Sequence, residues 1–164
     1  MVFELKSVFQ NDGETKQAQF QLDLTQTEID GAFPFGSPVE VCAVAANRAS
    51  LVTLELVCRY DYSRSCDRCG EPVIRRIESV FEHRLVQNLS NDENDDYIET
   101  PDLTVDLDEI VTSDILLSLP GKFLCSDDCK GLCFVCGANL NKGDCGCQKE
   151  SVDPRLAALK QLLN

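Results

Sequence analysis

Leu51-Val52-Thr53-Leu54-Glu55-Leu56-Val57 begins the stretch on which the fold turns. Cys66-Asp67-Arg68-Cys69-Gly70-Glu71-Pro72 interrupts that stretch, and Val73-Ile74-Arg75-Arg76-Ile77-Glu78-Ser79-Val80-Phe81-Glu82-His83-Arg84-Leu85-Val86 resumes it. The first segment has the β-branched content of a buried strand and runs to about Ser63. The last reads as a second strand. The cysteine-bearing segment between them then lies at the tip of a hairpin.

Toward the N-terminus the β pattern continues. Gln19-Phe20-Gln21-Leu22-Asp23-Leu24 alternates cleanly, as does much of Val39-Glu40-Val41-Cys42-Ala43-Val44. Val2 to Val8 alternates imperfectly and also reads as a strand. Asn11-Asp12-Gly13 and Gly36-Ser37-Pro38 are turn sequences. Asn47-Arg48-Ala49-Ser50 should turn a strand ending near Ala45 into the one beginning at Leu51. Residues 1–86 are thus expected to form an antiparallel sheet or a small, partly open β-barrel.

Toward the C-terminus the composition shifts. Residues 85–119 carry ten Asp and Glu and no Lys or Arg. Asn88 to Asp102 reads as a polar, mobile loop, and residues 87–105 as an acidic connection. Asp106 to Leu119 is expected to be a helix, with Asp106 and Glu109 as a capping-box-like pair and Pro120-Gly121 as the stop. Leu107, Ile110, Val111 and Leu117 are assigned to its apolar face. A Cys-rich segment follows, and a last helix is expected from Asp153 to Leu163, with Pro154 in the first helical position. The fold class is therefore α+β, with residues 106–164 packed on the β domain.

The chain has 164 residues, 43% of them hydrophobic, enough to bury a core. It carries 15 Lys and Arg against 28 Asp and Glu, a net charge of -13. Affinity for nucleic acid comes largely from cations that displace counterions, so a stand-alone RNA or DNA binder is disfavoured. The N-terminal sequence lacks the pattern of a secretory signal, and no apolar run approaches a membrane span. A cytoplasmic protein is expected.

In a reducing compartment, ten cysteines point to metal binding rather than to disulfides. Eight fall into close pairs: Cys66 and Cys69, Cys125 and Cys129, Cys133 and Cys136, Cys145 and Cys147. Tetrahedral zinc takes four ligands, and closely spaced thiolates supply two from one turn. Both Cys66-Asp67-Arg68-Cys69-Gly70 and Cys133-Phe134-Val135-Cys136-Gly137 add a glycine where the turn needs positive φ. The short loop from Cys136 to Cys145 favours a site of Cys133, Cys136, Cys145 and Cys147, leaving Cys66, Cys69, Cys125 and Cys129 for another. Grouping Cys125, Cys129, Cys133 and Cys136 is the competing partition, and an iron–sulfur cluster the competing cofactor. One or two zinc ions are expected, two preferred. Cys42 and Cys58 stand singly and read as ordinary strand thiols.

Little in the chain points to catalysis. Four thiolates fill each proposed site, and closed sites are structural. His83, the sole histidine, reads as a surface strand residue. No phosphate-binding glycine loop or nucleophile elbow is present. Arg59, Arg64, Arg68, Arg75, Arg76 and Arg84 interleave with acids, as solvated strand faces do.

The order Cys66-Asp67-Arg68-Cys69-Gly70-Glu71-Pro72, Asp106-Leu107-Asp108-Glu109-Ile110, Leu117-Ser118-Leu119-Pro120 and Asp128-Cys129-Lys130-Gly131-Leu132-Cys133-Phe134-Val135-Cys136-Gly137-Ala138-Asn139-Leu140-Asn141, ending in Asp153-Pro154-Arg155-Leu156, resembles the bacterial YceD family. The likeness covers most of the chain from about Leu51. Phe134 departs from the Pro often found at that position, which leaves the ligand positions intact. The resemblance implies a role in accumulation of large-subunit ribosomal RNA and so in ribosome biogenesis. With it, the acidic segment Asp92 to Asp102 points to a basic large-subunit ribosomal protein or a nascent ribosomal particle as partner, rather than bare RNA. A non-enzymatic zinc-binding factor is expected. A nuclease or thiol oxidoreductase acting on ribosomal precursors is the alternative.

Overall fold

The strand alternation of Val39–Arg48 (β3) and Leu51–Ser65 (β4) builds the centre of the molecule. The strands pair antiparallel from Glu40 with Arg59 to Arg48 with Leu51. Their inward side chains, Val39, Val41, Ala43 and Ala45 with Val52, Leu54, Leu56, Cys58, Tyr60 and Tyr62, are buried. Burial of each large apolar side chain stabilises the fold by roughly 1.5–3 kcal/mol. The connecting turn is two residues, Ala49 and Ser50, both at positive φ. That is the handedness a tight hairpin needs, here without the usual Gly or Asn. Asn47, expected in the turn, instead lies buried in β3, and its amide donates to the Val8 carbonyl at 2.8 Å.

This computed structural model describes residues 1–88 and 97–147. The expected helix at Asp153–Leu163 lies outside the described residues. So does the middle of the acidic connection, residues 89–96.

The larger sheet also contains Thr15–Leu22 (β2), Pro72–Val86 (β5) and Tyr97–Glu99 (β6), in the order β2-β3-β4-β5-β6. β2 pairs antiparallel with β3, whereas β6 runs parallel to β5, Arg84 opposite Tyr97 and Val86 opposite Glu99. The wholly antiparallel sheet expected from the sequence is therefore corrected to a mixed one. β2 and β6 are the opposite edges of this sheet, which is not closed. Thr100 fixes the parallel edge: its N–H and its hydroxyl both donate to the Val86 carbonyl, at 2.8 and 3.0 Å.

Val2 to Val8 is not one strand. Val2–Glu4 (β1) pairs with Thr104–Asp106 (β7), and Lys6–Gln10 (α1) is a short helix. Leu5 and Val8, both buried, are three residues apart, a helical spacing that ends the alternation. β6 and β7 both fall in or beside the stretch expected as an acidic loop.

Leu107–Ser118 (α2) is capped by Asp106, whose carboxylate accepts from the Asp108 N–H at 3.0 Å. Its buried stripe is Leu107, Val111 and Ile115. Leu117 is 84% exposed, contrary to the sequence reading. At 3.6 residues per turn it projects roughly 120° from the centre of that stripe. His83 of β5 is not a free surface histidine: its Nε2 lies 2.7 Å from the Asp114 carboxylate of α2. Among the described residues no helix is long and apolar enough to cross a membrane.

The chain divides into two compact units, Met1–Arg64 with Ile74–Gly121, and Ser65–Val73 with Lys122–Asn164. The first holds most of the sheet and α2. The second holds the hairpin tip and the Cys-rich segment.

Candidate metal centres

Two pairs of turns place eight thiols. In the first knuckle the Cys66 N–H donates to the Glu71 carbonyl at 2.8 Å and the Gly70 N–H to the Cys66 carbonyl at 2.9 Å. The second repeats this pattern, with Cys133 N–H to the Ala138 carbonyl and Gly137 N–H to the Cys133 carbonyl, both 2.8 Å. Gly70 and Gly137 have φ of 71° and 73°, a conformation L side chains avoid.

The first cluster gathers Cys66, Cys69, Cys125 and Cys129; the second gathers Cys133, Cys136, Cys145 and Cys147. Within each, all four sulfurs lie within 4.8 Å of one another. Cys66 Sγ is 3.8 Å from Cys129 Sγ, and Cys69 Sγ is 3.6 Å from Cys125 Sγ. Sulfurs around one tetrahedral ion at about 2.3 Å would be roughly 3.8 Å apart. Both clusters can hold a metal ion.

The first cluster is the drier. Cys66, Cys69 and Cys129 are buried, with Val73 and Leu124 packed on them. Two reciprocal bonds join its halves: Asp67 N–H to the Phe123 carbonyl at 2.8 Å, and Phe123 N–H to the Asp67 carboxylate at 2.6 Å. Arg68 donates to the carbonyls of Asp127 and Cys129, at 3.3 and 2.9 Å. Asn141 Nδ2 donates to Cys129 Sγ at 3.3 Å. In the second cluster only Cys133 is buried, and Cys136 is exposed. Glu71 connects the knuckles, accepting from Asn139 at 3.2 Å and pairing with Lys142 at 2.6 Å.

Proton affinities within each cluster diverge. Burial pushes the Cys66 thiol up, but N–H groups of Cys125, Cys69 and Arg68 outweigh it and bring it to about 6. Cys133 is lowered to about 6 by the N–H groups of Cys136 and Val135. Cys129 is lowered first by the Asn141 amide. Cys147 is raised to about 12 by the sulfurs of Cys136 and Cys145 and by burial. Cys69 also rises to about 12: the Glu71 N–H lowers it, but burial and the neighbouring sulfurs prevail. Four crowded sulfurs cannot all be thiolates without a cation between them, which is the chemistry of a metal-binding donor set.

Cys42 and Cys58 belong to neither cluster. Cys58 is fully buried in β4, and burial followed by the Asp114 charge raises its thiol to about 12. Three arginines of the sheet are paired with acids: Arg59 with Glu78, Arg76 with Glu40 and Asp61, and Arg64 with Asp30. Asn141, Asn139, Asp67, Arg68 and Glu71 were not assigned roles from sequence. The only signal was their position within or just beyond the knuckles.

The family model described as large ribosomal RNA subunit accumulation protein YceD matches residues 54–163, more than half of the chain. The chain belongs to the YceD family. The match contains all eight clustered cysteines. A chloroplastic large ribosomal RNA subunit accumulation protein YCED homolog 1 of Arabidopsis thaliana is 26% identical over 178 residues, covering 90% of this chain and 56% of the relative. Its Zea mays counterpart is 25% identical, covering 86% and 59%. An uncharacterized protein of Mycobacterium tuberculosis is 32% identical over 102 residues, covering 60% and 49%. The chain thus spans about half the length of these curated relatives. No solved structure matches it.

Proposed function

We propose that this YceD-family chain is a non-enzymatic, zinc-stapled factor in large-subunit ribosome biogenesis, acting in the cytoplasm through protein contacts. Family membership supports the process, since the plant relatives are named for large ribosomal RNA subunit accumulation. The observation that carries the physical reading is the pair of four-sulfur clusters. Cys66, Cys69, Cys125 and Cys129 would hold one ion, and Cys133, Cys136, Cys145 and Cys147 the other. Each ion would cross-link segments that have little apolar core of their own. Four sulfurs per ion leave no position for water or substrate, which favours a structural site over a catalytic one. The close sulfur spacing favours a single ion over a multi-iron cluster, whose thiolates sit on different irons.

A basic large-subunit ribosomal protein or a nascent particle is the partner class that fits the charge of -13 and the acidic run through Asp92, Glu93, Asp95 and Asp96. The test pairs complementation with binding. In cells lacking the protein, the ratio of large- to small-subunit ribosomal RNA should fall. Wild type should restore it, and Cys66→Ser/Cys129→Ser should not. Changing the four acids to Asn or Gln should weaken binding to the basic partner, most visibly at low salt. Unchanged binding, or tight binding of wild type to naked ribosomal RNA, would overturn the partner assignment.

A further inference from the structure

The two knuckles share a turn but use its tip differently. In Cys66–Cys69 the two tip residues serve the fold: Asp67 bonds the Phe123 backbone, and Arg68 bonds the carbonyls of Asp127 and Cys129. The equivalent residues of Cys133–Cys136 are Phe134 and Val135, 74% and 58% exposed, and Leu132 just before them is also exposed. A solvated turn has no need of three large apolar side chains. These are held by the paired backbone bonds of Cys133 and Gly137 rather than on a loose loop. An aromatic presented on a pinned turn loses little entropy when it is buried by a partner.

The surroundings specify the partner's charge. Asp127, Asp128 and Asp144 are exposed. None has a side-chain partner among the described residues. Of the cations among the described residues of this unit, Lys142 is engaged by Glu71 and Arg68 by backbone carbonyls, leaving Lys122 and Lys130. Four thiolates around a divalent ion add further net negative charge at each cluster. An apolar anchor in an anionic setting repels phosphates and suits Lys and Arg.

We infer that the Leu132-Phe134-Val135 tip is a docking surface for a protein segment carrying an apolar side chain flanked by Lys or Arg. The partner class rests on the function proposed above; the apolar tip and the unpaired acids do not.

The test uses the metal-loaded full chain and fluorescent twelve-residue probes: alternating Lys and Leu, the same peptide with Leu replaced by Ser, and a single-stranded RNA of mixed sequence. The Lys–Leu peptide should bind, and more weakly as salt rises. Phe134→Ser should weaken it about tenfold, the scale of a lost interface anchor. Phe134→Leu should hold it within about threefold, because an apolar swap preserves the contact. Metal content should be the same in all three proteins, which separates loss of docking from loss of the cluster. Equal affinity of wild type and Phe134→Ser would overturn the proposal. So would RNA binding abolished by both substitutions, the signature of base stacking on an aromatic ring. Wild type that binds the peptide but carries no metal would refute the stapling and leave the docking surface standing.

Discussion

At the residue scale, the side chains that complete the first cluster are not its ligands. Asn141 donates to Cys129 Sγ and, through its Oδ1, accepts from the Lys130 N–H at 2.8 Å, so one amide sets both a sulfur's charge and the chain path beside it. Asn141→Ala should weaken metal retention at this cluster about tenfold, the lower end for lost outer-sphere partners. Competition with a chromophoric chelator measures it; unaltered retention would remove Asn141 from the site. Cys58 makes the opposite case, a thiol whose chemistry is suppressed. Its pKa rises from the ordinary 9 to about 12 through burial, then the Asp114 charge. A raised folded-state value means its stabilising effect is complete below about 9 and is lost as pH climbs toward about 12. Urea midpoints should therefore fall more steeply between pH 8 and pH 10.5 (roughly the accessible part of that window) in wild type than in Cys58→Ala. Parallel slopes would contradict this. The cysteine pairs were legible because spacing and glycine are local signals. The role of Asn141 was not, because it exists only once a loop brings it back onto a sulfur.

At the element scale, α2 separates what sequence can and cannot reveal. Its existence, its Asp106 cap and its end before Pro120 were readable, since caps and breakers act locally. Its buried face was misjudged at Leu117 because the aliphatic run Ile115-Leu116-Leu117 offers three candidates for one inward position. Ile115→Ala should destabilise the protein by about 2–4 kcal/mol, as a large-to-small change in a packed core does. Leu117→Ala should change stability by less than about 0.5 kcal/mol. Chemical denaturation of both variants decides it, and comparable losses would show the stripe wrongly placed. The hairpin of β4 and β5 was likewise legible from its length and interruption. The parallel pairing of β6 was not, because three residues, Tyr97–Glu99, carry no periodicity and their partner was fixed by tertiary return of the chain. α1 was hidden for a related reason: five residues are too few to show a helical repeat.

At the scale of the whole molecule, a sheet unit with a conventional core accompanies a second unit whose described residues rely on sulfur clusters. Of the buried apolar side chains among the second unit's described residues, only Phe123 is not a cysteine. That imbalance makes the metal reading central: without an ion, each cluster is four crowded thiols. Elemental analysis of protein purified without chelators, referenced to amino-acid quantitation, addresses it most directly. The account predicts two zinc ions per chain, one for each cluster of four cysteines. Less than about half an equivalent of zinc, or iron in its place, would contradict it.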